Sequence, residues 1–233
     1  GRFALGNPHC TRSGHVGPQR HHRSIHQGAW PEARLGCFIY TADVRAREDS
    51  LWTCLENEVA PYLKTMLETT PLAQIPNLDE SRKAYKLWQG PRTLRVRPNR
   101  CTPGCRSQGL LHESQLVDAN NLVSLETGFS LGSYDTARIG ADIVFRLGKA
   151  GRCIRHRQGR HRARKHAPAR RLGSAFGSPT SDSTRAMITQ ETRSCLTVVS
   201  SFSARSKLEE ALALTVKRFG QYANPSHAES FII

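Results

Sequence analysis

The sequence predicts an α+β fold built on a mixed or antiparallel sheet. Short runs rich in β-branched and aromatic residues mark strands near 35–44, 140–148 and 194–203. Apolar residues at helical spacing, with polar caps, mark helices near 49–68, 78–87, 119–127 and 206–219. A chain of 233 residues with 38 % hydrophobic content is long enough to bury a core. These elements assign one domain to 29–222, with a tail at 1–28 and a loose C-terminal tail at 223–233.

In chain order, 1–28 has no apolar period and no acid; it reads as a disordered tail or as a basic arm for RNA. Leu35–Val44 (LGCFIYTADV) alternates as a strand. Asp49 or Ser50 is placed to cap the next helix, which carries Leu51, Leu55, Val59, Leu63 and Leu67. Pro61 lies inside that run, so a kink or a break is expected there. Pro76-Asn77 reads as a stop before a short helix over Asp79–Lys86. Leu116-Val117 reads as the end of a strand, with Asp118 and Asn120 as caps of a helix that Gly128 ends. Gly132–Asp135 reads as a turn and Asp142–Leu147 (DIVFRL) as a strand. Ser174–Thr192 is a Gly/Ser/Thr/Pro loop; such loops are turns, or donors to a phosphate or carboxylate. Leu196–Phe202 is a strand. Ser206 then caps a helix with Leu208, Leu212 and Val216 on its apolar stripe and Gly220 at its end.

The net charge of +15 suggests a nucleic-acid partner, so its location decides its meaning. Segments 1–28, 87–115 and 151–173 hold 18 of the 34 Lys and Arg, with Glu113 their one acid. They also hold nine of the ten His and four of the seven Cys, and the remainder of the chain carries a net charge of −2. Segment 151–173 reads as an RNA-binding arginine-rich arm or as a solvated loop. Cys101 and Cys105 with His112 offer no fourth ligand, and Pro103-Gly104 between the cysteines reads as a turn, so no metal is expected. No cofactor motif occurs. The odd number of Cys fits reduced thiols, and no secretory signal or apolar span is recognisable, so a cytoplasmic protein with no membrane partner is expected.

One ordered run carries a resemblance: VDANNLVSLETGFSLGSYD followed by IGADIVFRLGKAG. Through Val117, Asp118, Asn121, Leu125, Glu126, Gly128, Tyr134, Asp135 and Arg146 it resembles the B3/4 domain of the bacterial phenylalanyl-tRNA synthetase beta chain. PEARLGCFIYTADV, IPNLDESRKAYK and FGSPTSDSTRAMITQET with LTVVSSF are similar to stand-alone relatives of that domain, so the resemblance covers more than half of the chain. It implies a layered sheet packed by helices.

The three basic segments interrupt this resemblance, and their composition fits a displaced reading frame. A permissible back-translation of 151–168 read one base later gives GVYDIGKGDIELENMP, a string like those of the relatives, and Leu87–Pro91 treated alike gives FGKDP. Resequencing the coding DNA decides between that and a true basic insert.

The resemblance further implies an RNA partner, tRNA or an aminoacyl-tRNA end, and no DNA. It places Asn121 and Glu126 in a polar cleft facing a loop with Ser178, Thr180, Ser181 and Asp182, with Arg146 and Arg185 meeting a carboxylate or phosphate. The other reading of these residues is structural: caps, turn formers and surface ion pairs. The family's editing pocket has a His before the Tyr-Asp turn and a Glu on the late strand. Here Gly132 and Val198, or Thr197 in a shifted alignment, occupy those positions, so no catalytic residue carries over. Three functions follow: an RNA-binding domain, a trans-editing hydrolase of mischarged aminoacyl-tRNA, or an amino-acid-binding module without RNA.

Overall fold

The computed structural model describes residues 3–6, 23–25, 33–71, 74–89, 114–139, 143–147, 175–178, 181–182 and 184–233. Strands β1 (Phe3–Gly6), β2 (Arg23–Ile25), β3 (Arg34–Thr41), β4 (Ser130–Asp135), β5 (Ile143–Leu147), β6 (Ala175–Ser178), β7 (Ser181–Asp182), β8 (Ser194–Ser201) and β9 (Ser226–Ile232) form two sheets. The central sheet is antiparallel throughout, in the order β4-β8-β3-β9. The second, in the order β2-β5-β1-β6-β7, is mixed, because β2 runs parallel to β5. The helices are α1 (Asp49–Cys54), α2 (Ala60–Thr69), α3 (Pro76–Gln89), α4 (Gln115–Thr127) and α5 (Arg205–Tyr222).

Alternation along β3 and β8 explains the layering, because successive side chains of a strand point to opposite faces. Phe38, Tyr40, Cys195 and Val199 join Leu51, Leu116, Leu122, Leu208 and Phe219 in a core under the helices. Leu35, Cys37, Leu196 and Val198 join Leu5, Tyr134, Phe145 and Phe176 in a second core between the sheets. Two close approaches fix the spacing. A Cβ on Gly36 would stand 3.1 Å from Leu208 Cδ1, so α5 lies tight on β3. A Cβ on Gly177 would stand 2.2 Å from the Tyr134 hydroxyl, so that ring, packed edge-on to Phe176, requires glycine beneath it.

Several local expectations are corrected. The break into two helices expected from Pro61 falls just ahead of it, where a π turn over Leu55–Val59 separates α1 from α2 and leaves Pro61 in the first turn of α2. Proline lacks an N–H and crowds the carbonyl four residues back, and a widened turn accommodates both. The N-cap of α1 is Glu48 rather than Asp49 or Ser50, and no side chain caps it. Pro76 starts α3 instead of stopping the chain, which suits a residue with no N–H to satisfy at a first helical position.

Residues 116–117 are helical: α4 begins at Gln115, capped by Ser114 Oγ accepting from Val117 N, so Asp118 and Asn120 lie inside the helix. Gly128 does close it, with φ 73°. Gly132–Asp135 is strand, because β4 pairs with β8 along its whole length. The 174–192 stretch carries β6, β7 and a 3₁₀ turn at Thr184–Ala186. Helix α5 has Ala204, not Ser206, at its N-cap and runs through Gly220, because Phe219 and Ala223 are both buried and hold the last turn down. The loose C-terminal tail is overturned: β9 pairs with β3 from Gly36↔Ile232 to Thr41↔Ser226. Cys101, Cys105, His112 and segment 151–173 lie outside the described residues.

Candidate functional site

A buried polar chain crosses the helix side of the central sheet. Strand register sets Ser133 of β4 opposite Thr197 of β8, and α4 lays Asn120 over the pair. Asn120 Nδ2 donates to Ser133 Oγ (2.9 Å), Ser133 Oγ lies 2.6 Å from Thr197 Oγ1, and Thr197 Oγ1 lies 3.1 Å from the Tyr40 hydroxyl. Beside Tyr40 sits Cys195, and beyond it Asp135. The Asp135 carboxylate caps the turn at Ala137 N (3.0 Å) and accepts from Thr192 Oγ1 (2.9 Å).

Burial drives the Tyr40 hydroxyl far above the usual phenol range, with Cys195 adding to it. Burial, then the Asp135 charge, pushes the Cys195 thiol up to about 12. Both groups therefore stay neutral at physiological pH and act as hydrogen-bonding core, not as a base or nucleophile. One consequence is measurable. The unfolded chain ionises Cys195 near the ordinary thiol value of 9.0, while the folded protein holds the proton to about 12. The contribution is full below pH 9 and is lost as pH rises through that window, a loss of roughly 2–4 kcal/mol. Urea unfolding at about pH 8 and pH 9.5, the upper value lying below the tyrosine midpoint near 10, should show stability falling with pH in the wild type and a flatter profile in Cys195→Ala. Equal slopes would remove Cys195 as the cause.

Nearer the surface, α4 and α5 are clasped by charge. Arg218 donates through Nε to Glu126 Oε2 (3.0 Å) and through Nη2 to Glu126 Oε1, and Nη1 reaches Gln221 Oε1 (3.1 Å). The two side chains of the ion pair are 17 % and 18 % exposed, so it is largely shielded from water. Glu126 holds the Arg218 guanidinium above its usual range, although burial opposes this. Next to the clasp, burial and then the Cys54 thiol push Tyr222 up to about 12. Cys54 itself lies 3.8 Å from Glu58 on the π turn.

The structure does not bring the expected cleft together. Half-buried Asn121 and Glu126 ride on α4, on the helix side of the central sheet. Gly132 is buried on β4 and lies on the same strand face as Tyr134, which packs against Phe176 of β6, whereas Asn121 and Glu126 belong to the helix side. Ser178 pairs with Ser181 in the β6–β7 hairpin, next to the Gly177↔Asp182 pair, and so belongs to the opposite layer. Arg146 stands opposite Ala4 in the β5–β1 ladder, and Arg185 is exposed on the 3₁₀ turn. Thr180 lies outside the described residues. Glu126 is engaged by Arg218, a partner the sequence did not flag. The polar chain was also missed, because Tyr40, Ser133 and Thr197 lie on three separate strands and only pairing brings them together.

Among the described residues no three His, Cys, Asp or Glu side chains cluster to hold a metal, and no helix is long and apolar enough to cross a membrane. The chain matches no family model and no curated protein.

Proposed function

We propose that this protein is a stand-alone domain of the synthetase B3/4 type that binds RNA, with tRNA or an aminoacyl-tRNA end as the ligand. The observation that carries the reading is the continuity of the resembling run. Val117–Asp135 is one structural unit: helix α4, the left-handed Gly128, strand β4, and Asp135 capping the turn that follows. The matched residues thus have connected roles in an order that the resemblance implies.

Binding is favoured over hydrolysis. Gly132 offers no side chain, Val198 is buried between the sheets and Thr197 belongs to the polar chain, so no acid or imidazole stands at the related positions. Among the described residues, part of the positive charge is already engaged. Lys83, Arg193, Arg205, Lys207 and Arg218 are each paired with a carboxylate. A phosphate-binding contribution from charge is expected first from segments 1–28, 87–115 and 151–173, which hold 18 of the 34 Lys and Arg.

Filter binding of tRNA across a salt series tests this. Saturable binding at low salt that weakens as salt rises is expected, since each phosphate contact releases counterions. A chain with 151–173 replaced by a neutral Gly/Ser linker should bind more weakly with a shallower salt slope, yet still prefer tRNA over heparin. Absence of binding by the full chain at low salt overturns the RNA reading and leaves the amino-acid module. Deacylation of Tyr-tRNA(Phe) at the rate of buffer alone is expected; a faster rate would make the protein a hydrolase.

A further inference from the structure

We propose that RNA phosphates are held at one corner of the domain, where Arg138, Arg185 and Arg193 stand on three adjoining segments. This rests on the RNA reading above and names the surface it uses. Strand register builds the corner. Asp135 and Cys195 are the last pair of the β4–β8 ladder, so the 3₁₀ turn Thr136–Arg138 leaves β4 beside the residues that lead into β8. Thr136 Oγ1 donates to Ser194 O (3.0 Å) and fastens the two together. The 3₁₀ turn Thr184–Ala186 packs on the first turn, with Ile139 and Ala186 buried beneath them. Arg138, Arg185 and Arg193 remain exposed.

Two of the three guanidiniums are already oriented. The Asp135 side chain is 8 % exposed, and its Oδ2 lies 3.4 Å from Arg138 Nε. Anchored through Nε, Arg138 keeps its end-on pair of amino groups for a ligand, the edge that grips two oxygens of a phosphate. Arg193 Nη1 donates to Gln190 O (2.8 Å) and Thr192 O (3.0 Å), which ties that guanidinium to its own turn. Its Nε lies 3.5 Å from Asp43 Oδ1, but Asp43 is 88 % exposed. A pair so open to water is weak and screened by salt, so a phosphate can displace it.

The charge and its spread favour a nucleic acid. Asp135 is taken up by Ala137 N, Thr192 Oγ1 and Arg138. Among the described residues the exposed acids beside the three arginines are Asp43 and Glu191, so the corner stays cationic. A lone carboxylate ligand needs one bidentate guanidinium. Three guanidiniums on separate segments suit the successive phosphates of a nucleic-acid chain.

Phenylglyoxal footprinting of the full chain, with and without saturating unfractionated tRNA, tests this arginine by arginine. Bound tRNA should suppress modification of Arg138, Arg185 and Arg193. Arg205, exposed beyond the other end of β8, should stay as reactive as in the free protein. In filter binding, Arg138→Gln, Arg185→Gln and Arg193→Gln should each make the log–log salt slope shallower by about 0.7–0.9, the change for one phosphate contact. Arg205→Gln should leave the slope unchanged. If Arg138→Gln fails to fold because Asp135 loses its partner, the other two variants decide. A wild type that binds tRNA while all three arginines stay reactive and the variants keep its slope overturns this surface and leaves the RNA reading standing. A wild type that binds no tRNA overturns both.

Discussion

Phe219→Ala is expected to cost about 3–5 kcal/mol, near the top of the range for a buried aromatic. Phe219 is wholly buried on α5 and meets Tyr40 and Phe38 edge-on, with centroids at 5.4 and 5.9 Å. It is the side chain that keys the helix to the strand carrying the buried polar chain. Collapse into the vacated space is hindered, because Leu208 and Leu212 already hold α5 against Gly36 and cannot bring it closer. The cavity therefore persists, and its lining loses dispersion contacts as well as transfer energy. Phe219→Leu should cost about 1–2 kcal/mol by keeping most of the volume. Urea unfolding reads both as a lower midpoint with an unchanged slope. A loss below about 1 kcal/mol for the alanine variant would show that this contact is not what keys α5 to β3.

Phe219 also marks where sequence reasoning stops. Leu208, Leu212 and Val216 announce α5 because their spacing is helical and their neighbours are polar. Phe219 continues that spacing, but Gly220 behind it imitates a C-cap. The helix ignores this glycine because Ala223, one turn after Phe219, is buried and fastens the chain beyond it. The deciding contact is tertiary, and no local signal encodes it. Strand β9 was invisible for the opposite reason. Five of its residues are exposed, so it carries no apolar period, and its membership of the sheet rests mainly on backbone hydrogen bonds. The strands at 34–41 and 194–201 could be read because both of their faces are covered, which demands unbroken runs of apolar and β-branched residues. The candidate site was less readable still. Glu126 looked like a ligand group in the sequence, and only the packing of α4 on α5 gives it Arg218.

A second large effect is expected at Trp52. Its Nε1 donates to Asp118 Oδ2 at 2.9 Å, and the residues are 5 % and 1 % exposed. This bond ties α1 to the first turn of α4. Trp52→Phe keeps most of the ring but withdraws the donor from a buried carboxylate, where a lost partner leaves the desolvation of the group uncompensated; about 2–4 kcal/mol is expected. Asp118→Asn should cost less, because the amide oxygen still accepts from the indole. Asp118→Leu should cost more than the asparagine variant and also leave the indole N–H without this acceptor. The decisive measurement is a double-mutant cycle by urea unfolding. Trp52→Phe with Asp118→Leu removes both partners, so the pair should lose at least about 1 kcal/mol less than the sum of the single losses. Additive losses would mean that ring packing alone holds α1, and that the indole–carboxylate bond contributes nothing. Non-additivity would give Asp118 a tertiary task in place of the cap its sequence position suggests. Ser114 already performs that capping, and Gln115 ties the same helix end to Asp43 O (2.6 Å) and Arg45 N (2.6 Å). With the helix start secured twice over, the acid at 118 is free to work inside the core.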